Sequence, residues 1–112
     1  MKIAFTSKGK SWDSEIDPRF GRTEYFLIYD EEKDEMTVAD NTDVANMAHG
    51  AGPQAVQNLY EYKPDVLITG NGPGGNAEAV LRKTGIEINI GASGMNVKEA
   101  YEKYKKNELE KF

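Results

Sequence analysis

The sequence predicts a single α/β domain spanning residues 1–112, with a five-stranded mixed sheet and about three helices. Two observations indicate this class. Short apolar runs, such as YFLIYD at 25–30 and VLIT at 66–69, are typical of strands covered on both faces. After residue 50 the spacing of apolar residues changes from that of strands to that of helices. The predicted order of elements is therefore β-β-β-α-β-α-β-α.

Three strands are predicted in the first forty residues. KIAFTS at 2–7 is rich in apolar and β-favouring residues, and a polar loop follows it to about residue 22. YFLIYD forms the second strand, and EEKD at 31–34 reads as a turn. EMTVAD at 35–40 alternates between apolar and polar residues, which favours an edge strand. Short connections make these three strands a meander, with the second strand antiparallel to its neighbours.

The second half alternates helices and strands. Pro53 fits the first turn of a helix that Lys63-Pro64 ends, and Gly85 fits the end of the next helix. VLIT and then IEINI at 86–90 are the fourth and fifth strands. Asn96 and Glu99 have capping-box spacing at the start of the last helix. The residues predicted to face inward from the three helices are Ala55, Val56, Leu59 and Tyr60, then Ala77, Val80 and Leu81, then Val97, Ala100, Tyr101 and Tyr104.

Helical crossovers make the later strands parallel, so we expect the strand order 3-2-1-4-5, the ribonuclease-H-like arrangement. In this order the loops 7–22, 40–52, 70–76 and 91–96 meet at one edge of the sheet. Ligands of open α/β sheets bind at such a carboxyl edge. Three helix N-termini are expected to point there, each with free N–H groups and a partial positive charge.

Composition excludes several classes of function. The chain has 112 residues, a formal net charge of −5 and no cysteine, so disulfides and thiolate ligands are excluded. A nucleic-acid partner would favour a basic excess. The only apolar run near the N-terminus is residues 3–5, too short for a signal-peptide core or a membrane span. The expected location is the cytoplasm, with no nucleic-acid or membrane partner.

The loop GNGPGG at 70–75 matches the G-x-G-x-x-G spacing of dinucleotide-binding loops. Three features argue against that function. No acidic residue follows at about 20 positions, the loop comes after the fourth strand, and no phosphate-loop lysine is present. We therefore expect neither a nicotinamide nor a flavin cofactor. The loop is either a glycine-rich helix start or an anion site that uses the backbone amides of Gly72, Gly74, Gly75 and Asn76.

DPRFGR at 17–22 carries two of the three arginines of the chain, Arg19 and Arg22, at the predicted ligand edge. The guanidinium fork suits carboxylate, phosphate or sulfide-rich anions. The alternative is that Asp17 pairs with one of these arginines to brace a long loop while Phe20 fills the core. Composition does not decide between the two.

His49 is the only histidine, in NMAHGAG just before a helix. One imidazole cannot hold a free metal ion tightly, but it can ligate a cluster that brings its own sulfides. A capping or packing role is the alternative.

Catalysis is poorly supported, because two-metal nucleases need several carboxylates at strand ends and no cysteine or serine nucleophile motif is present. We therefore expect that the protein is not an enzyme.

The segments KIAFTS and SEIDPRFGRTEYFLIYD resemble the dinitrogenase iron–molybdenum cofactor biosynthesis family, the NifX/NafY-like group. HGAG at 49–52 is similar to a further family segment, as is the pattern from Gly74 to Ile86. The resemblance covers roughly residues 1–95. It implies a fold of the ribonuclease-H-like type that binds or carries an iron–sulfur or iron–molybdenum–sulfur cofactor or its precursor. It also implies that a histidine contacts the cluster, and His49 is the only candidate.

Two hypotheses follow. In the first, the chain carries an anionic metal–sulfur cofactor in a pocket of Arg19, Arg22, His49, Gly72, Gly74, Gly75 and Asn76, with His49 as the metal contact and cofactor-assembly proteins as partners. In the second, the same edge serves a metal-free regulatory domain that binds phosphate or a nucleotide.

Overall fold

The computed structural model describes all residues from 1 to 112. One mixed sheet of six strands runs through the molecule, and helices cover both of its faces. The elements in chain order are β1 (Lys2–Ser7), β2 (Tyr25–Asp30), β3 (Glu35–Asp40), α1 (Thr42–Ala45), α2 (Ala51–Tyr60), β4 (Val66–Ile68), α3 (Gly75–Thr84), β5 (Glu87–Ile90), α4 (Val97–Lys105) and β6 (Glu110–Lys111).

The strand order is β3-β2-β1-β4-β5-β6. β2 is antiparallel to both β1 and β3, whereas β1, β4 and β5 are parallel to one another. The predicted order of the first five strands is thus confirmed, as is the edge position of β3. The ribonuclease-H-like assignment itself stays a prediction.

Two predicted features of the fold are wrong. The sheet has six strands rather than five, because residues 110–111 pair antiparallel with β5. The helices number four rather than about three, because residues 42–45 form one short turn of helix. Neither segment has an apolar pattern of its own. Both depend on contacts with parts of the chain that are distant in sequence.

The core has two layers, one on each face of the sheet. In one layer α2 and α3 cover Phe26, Ile28 and Leu67. In the other α4 and the loop after β1 cover Phe5, Leu27 and other residues of the central strands. YFLIYD is therefore covered on both faces, as predicted. No helix combines the length and the apolar composition needed to cross a bilayer.

Most of the predicted inward residues of the helices are buried, including Leu59, Leu81, Val97 and Ala100 at 0% exposure. Val80, Tyr101 and Tyr104 are half-buried, and Tyr60 is 52% exposed. α2 begins at Ala51, two residues before Pro53, so Ala51 takes a buried position at the start of the helix. Tyr60 is the last residue of α2 and lies beyond the edge of the covered face.

Candidate functional site

The DPRFGR segment is fixed at both of its ends. The main chain of Asp17 donates from its N–H to the Thr6 carbonyl of β1 at 3.0 Å, and its carbonyl accepts from the Thr6 hydroxyl at 2.7 Å. The Phe20 ring is 3% exposed and lies 5.5 Å from the Phe26 ring. These contacts place Gly21 directly against the start of α2, where an added Cβ would lie 3.0 Å from the Cα of Gly52.

The two arginines of this segment have different partners. Arg19 pairs with the buried Asp17 carboxylate, from its Nε at 3.2 Å and from a terminal nitrogen at 3.3 Å. This hydrogen bond and the Asp17 charge raise the pKa of Arg19 above its usual value. The Arg19 side chain is still 60% exposed. Arg22 donates to the carbonyls of Ala45 and Met47, so it braces the loop that precedes α2.

The glycine loop after β4 is held by close backbone packing. Gly70 lies against Pro18 and Ser93, and the Asn71 N–H donates to the Pro18 carbonyl at 2.9 Å. Gly72 lies against the ring of Phe112, which would collide with a Cβ at this position. These first two glycines of GNGPGG are therefore explained by packing within the protein.

Gly74 and Gly75 have no such explanation. A Cβ at either position would meet no atom within 4 Å, and neither residue has a positive φ. Each of the other nine glycines either has a positive φ or lies against a neighbouring atom. Gly74 and Gly75 are also exposed. Because these two residues lack side chains, there is open space beside the start of α3.

That space is a cleft of ≈ 240 Å³ between the N-termini of α2 and α3. Neither α2 nor α3 has a side-chain cap. The free N–H groups in the first turn of each helix make no hydrogen bond elsewhere in the chain. Two such ten-residue helices direct partial positive charge toward one opening, a geometry that favours an anion. The lining residues are Gly21, Gly50, Ala51, Gly52, Pro53, Gly74, Gly75, Asn76 and Ala77.

The N-terminus of α4 does not contribute free N–H groups, contrary to the prediction of three open helix starts. The N–H groups of Val97 and Lys98 donate to the carbonyls of Ser14 and Trp12 at 2.9 and 3.0 Å. The Glu99 N–H donates to the Asn96 side chain at 2.8 Å, as the predicted cap requires. The loop after β1 thus folds over this helix end and satisfies its donors.

The structure brings three of the predicted site residues into the cleft lining: Gly74, Gly75 and Asn76. Arg19, Arg22, His49 and Gly72 lie on adjoining loops rather than in the lining itself. His49 is exposed, makes no hydrogen bond and directly precedes Gly50 of the lining.

Sequence reasoning missed Gly21 and residues 50–53 as part of the cleft wall. The signal was present in HGAGP, where two glycines and a proline open a helix, and in the glycine that ends DPRFG. The two loops are far apart in the sequence, and nothing in the pattern of either shows that Gly21 meets Gly52.

The donor set suits an anion better than a bare metal ion. No group of three or more His, Asp or Glu side chains is arranged to hold a metal, and the chain has no cysteine. The residues here offer backbone N–H groups, one nearby imidazole and nearby guanidinium groups. Such donors complement a preformed cluster that carries its own sulfide ligands and a negative charge.

The sequence model of the dinitrogenase iron-molybdenum cofactor family matches residues 1–107. No curated protein sequence matches the chain significantly.

Two solved structures are similar over nearly the whole chain. The apo form of the orange protein from Desulfovibrio gigas is 31% identical, with a TM-score of 0.93, over 99% of this chain and 92% of that one. The NMR structure of a Thermotoga protein of the DUF35 family, described as a NifB candidate, is 36% identical, with a TM-score of 0.85, over 98% of this chain and 91% of that one. Because the family model covers nearly the whole sequence, this chain belongs to the dinitrogenase iron-molybdenum cofactor family.

Proposed function

We propose that this protein binds and carries an anionic metal–sulfur cofactor, or a precursor of one, in the cleft between the N-termini of α2 and α3. The observation that carries the proposal is the open space at Gly74 and Gly75. Neither packing nor backbone conformation requires glycine at these two positions. A ligand that approaches the backbone closely would require it at both.

The charges around the cleft support an anionic cargo. The residues that carry the free N–H groups of α2 and α3 line the cleft, and Arg19 presents a largely exposed guanidinium on the adjoining loop. His49 stands beside Gly50 with no partner in the protein, where its imidazole is free to ligate a metal of the bound cluster. Donors of this kind hold a cluster through hydrogen bonds to its sulfides and through one metal contact.

We propose a carrier without turnover. The cleft contains no carboxylate, hydroxyl or thiol of the kind that acts as a general base or nucleophile, since its lining consists of glycine, alanine, proline and asparagine. Family membership supports transfer of the cofactor to or from assembly proteins as the physiological event.

Anaerobic loading with iron, sulfide and molybdate, followed by visible absorption and metal analysis, tests the proposal. The decisive variants are Gly75→Ala and Gly74→Ala. Alanine at these positions adds a methyl group to the cleft without a clash in the protein, so we expect metal–sulfur loading to fall at least about tenfold. The free energy of unfolding of Gly75→Ala should rise by about 0.4–1 kcal/mol, because alanine restricts the unfolded chain more than glycine does. No such gain is expected for Gly74→Ala, because Gly74 is the N-cap of α3, where glycine is preferred to alanine.

Gln57→Ala is the matched control, since Gln57 is exposed on α2 and makes no side-chain hydrogen bond. It should load as the wild type does. Full loading of both glycine variants would contradict the cleft as the cargo site. Saturable binding of inorganic phosphate that the glycine variants abolish, with no metal–sulfur loading in the wild type, would instead favour the metal-free alternative.

A further inference from the structure

The largest cleft of the molecule lies on the other face of the sheet, beside α4. Its volume is ≈ 480 Å³, and Trp12, Tyr29 and Tyr101 form its aromatic part. Trp12 comes from the loop after β1, Tyr29 from β2 and Tyr101 from α4. The cleft has no residue in common with the cargo cleft between α2 and α3. The two clefts are therefore separate sites.

The three rings are rigidly placed and pack edge to face. Their centroids lie 4.9 Å apart for Trp12 and Tyr29, 5.4 Å for Tyr29 and Tyr101, and 5.6 Å for Trp12 and Tyr101. The Lys98 N–H donates to the Trp12 carbonyl at 3.0 Å, which anchors Trp12 to the start of α4. Each tyrosine hydroxyl donates to a carboxylate at 2.6 Å, Tyr29 to Asp34 and Tyr101 to Glu31. The hydroxyl groups are thus occupied, and the Lys105 ammonium group lies over the Tyr101 ring at 5.9 Å, so the half-buried Trp12 ring is the surface that the cleft offers to a ligand.

The charged residues of the cleft are Asp13, Asp34, Glu102 and Lys98, which sum to two negative charges. The carboxylates of Asp13 and Glu102 make no hydrogen bond and no ion pair within the protein. The field around the rings is negative as well. The hydrogen bond to Asp34, together with burial and the charges of Asp34, Glu31 and Asp30, raises the pKa of Tyr29.

We propose that this cleft binds an arginine side chain presented by a partner protein. A guanidinium group is planar, so it can stack on an indole or phenol ring while its N–H groups pair with carboxylates. It is also less strongly hydrated than the lysine ammonium group, so it loses less on entering a partly apolar cleft. Asp13 and Glu102 provide the unpaired carboxylates, and Trp12 provides the ring. The net charge of −5 of the whole chain acts in the same direction.

The sole tryptophan makes a direct test possible, because Trp12 gives the only indole N–H resonance of the protein. The probe is a blocked glycine-rich hexapeptide with two arginines, compared with versions carrying two lysines or two citrullines. The arginine peptide should shift the Trp12 indole resonance saturably. The lysine peptide should bind about two- to fivefold more weakly, in line with the weaker stacking of an ammonium group. The citrulline peptide, which keeps the shape but not the charge, should cause no saturable shift.

The decisive variant is Asp13→Asn with Glu102→Gln, which should weaken binding of the arginine peptide at least about fivefold. The matched control is Asp43→Asn with Glu61→Gln, the same change in net charge at two exposed carboxylates on the opposite side of the molecule. Melting temperature checks that each variant is folded. Equal weakening by both pairs would overturn the proposal in favour of general attraction of cations. Absence of a saturable shift with the arginine peptide would overturn it too. Tetramethylammonium, a cation without N–H donors, should bind more weakly than that peptide, and equally tight binding would also overturn the proposal.

Discussion

Arg19 and Arg22 are neighbours in one loop, but their surroundings give them different roles. The Arg22 guanidinium donates to the carbonyl of Ala45, the last residue of α1, and to that of Met47 in the loop leading to α2. Arg19 covers the buried Asp17 and keeps a largely exposed face. DPRFGR was interpreted either as an anion site or as a brace for a long loop. The contacts of Arg22 are those of a brace. Arg19 pairs with Asp17 and also keeps a surface available to an anion.

We expect Arg22→Ala to destabilise the protein by roughly 1 kcal/mol, because it removes charge-assisted hydrogen bonds that fix the 45–47 loop. In a domain of this size the melting temperature should fall by about 4 °C. Lys83→Ala is the control, since Lys83 is exposed on α3 and makes no ion pair. An unchanged melting temperature together with impaired cluster loading would show that Arg22 serves the ligand and not the loop.

Among the predicted site side chains, His49 contributes least to holding the fold together. It is exposed and makes no hydrogen bond, so His49→Ala should leave the melting temperature within about 1 °C. Retention of a loaded cluster during anaerobic gel filtration should fall several-fold, because a metal contact is lost while the N–H donors remain. Retention equal to that of the wild type would leave the arginines and the backbone amides as the only contacts.

At the scale of elements, the sequence predicted strands and helices where a segment carries its own pattern. The apolar run of β2 and the inward faces of α2, α3 and α4 are of this kind. β6 is not, because residues 110–111 are a glutamate and a lysine that become a strand only by pairing with β5. The cap of α4 by Asn96 was predicted, but the carbonyl partners of its first two N–H groups were not. These partners, the carbonyls of Trp12 and Ser14, come from a loop more than eighty residues away in sequence.

One side-chain cluster joins α4 to the end of β2 and makes that contact sensitive to pH. The Tyr101 hydroxyl and the Lys105 ammonium group both donate to one Glu31 oxygen, at 2.6 and 2.9 Å. The hydrogen bond from Tyr101 is the main cause that lowers the pKa of Glu31 below its usual value of 4.5, against the opposing effect of burial. The ionised carboxylate is therefore the form that the folded state prefers.

We expect Glu31→Gln to be destabilised by about 1 kcal/mol near neutral pH, where Glu31 is ionised. A carboxyl group whose pKa is lowered in the folded protein contributes stability above its unfolded pKa and loses that contribution as the pH falls through the folded pKa. The difference between variant and wild type should accordingly shrink as the pH falls below 4.5 and through the lowered pKa of Glu31 in the folded protein. Urea unfolding as a function of pH measures it, with Glu32→Gln as an exposed neighbouring control. A difference that persists undiminished at low pH would assign the effect to packing.

At the scale of the whole molecule, the sequence predicted which edge of the sheet carries the candidate site but not its walls. Parallel strands bring their carboxyl ends together whatever the loops contain, so β1, β4 and β5 suffice for that inference. The meeting of Gly21 with Gly52, and of Gly52 with Ala77, depends on how closely α2 and α3 pack. Such distances are set by the packed core as a whole, and a linear pattern does not contain them.

The contact between Phe112 and Gly72 ties the C-terminal residue to the loop that leads into the cleft between α2 and α3. The Phe112 N–H donates to the Ile88 carbonyl at 2.9 Å, and its ring packs against Gly72 and below Arg82. The ribosome makes Gly72 forty residues before it makes the side chain that holds it in place. Without Phe112, Gly72 would lose this packing, and the contacts of Gly70 and Asn71 with Pro18 and Ser93 would be left to hold the loop. Phe112→Ala should remove this contact, so that hydrogen exchange of the Asn71 N–H, which is bonded to the Pro18 carbonyl, becomes at least about tenfold faster while exchange in β1 stays unchanged. Unchanged protection of the loop in the variant would mean that Pro18 and Ser93 alone hold it.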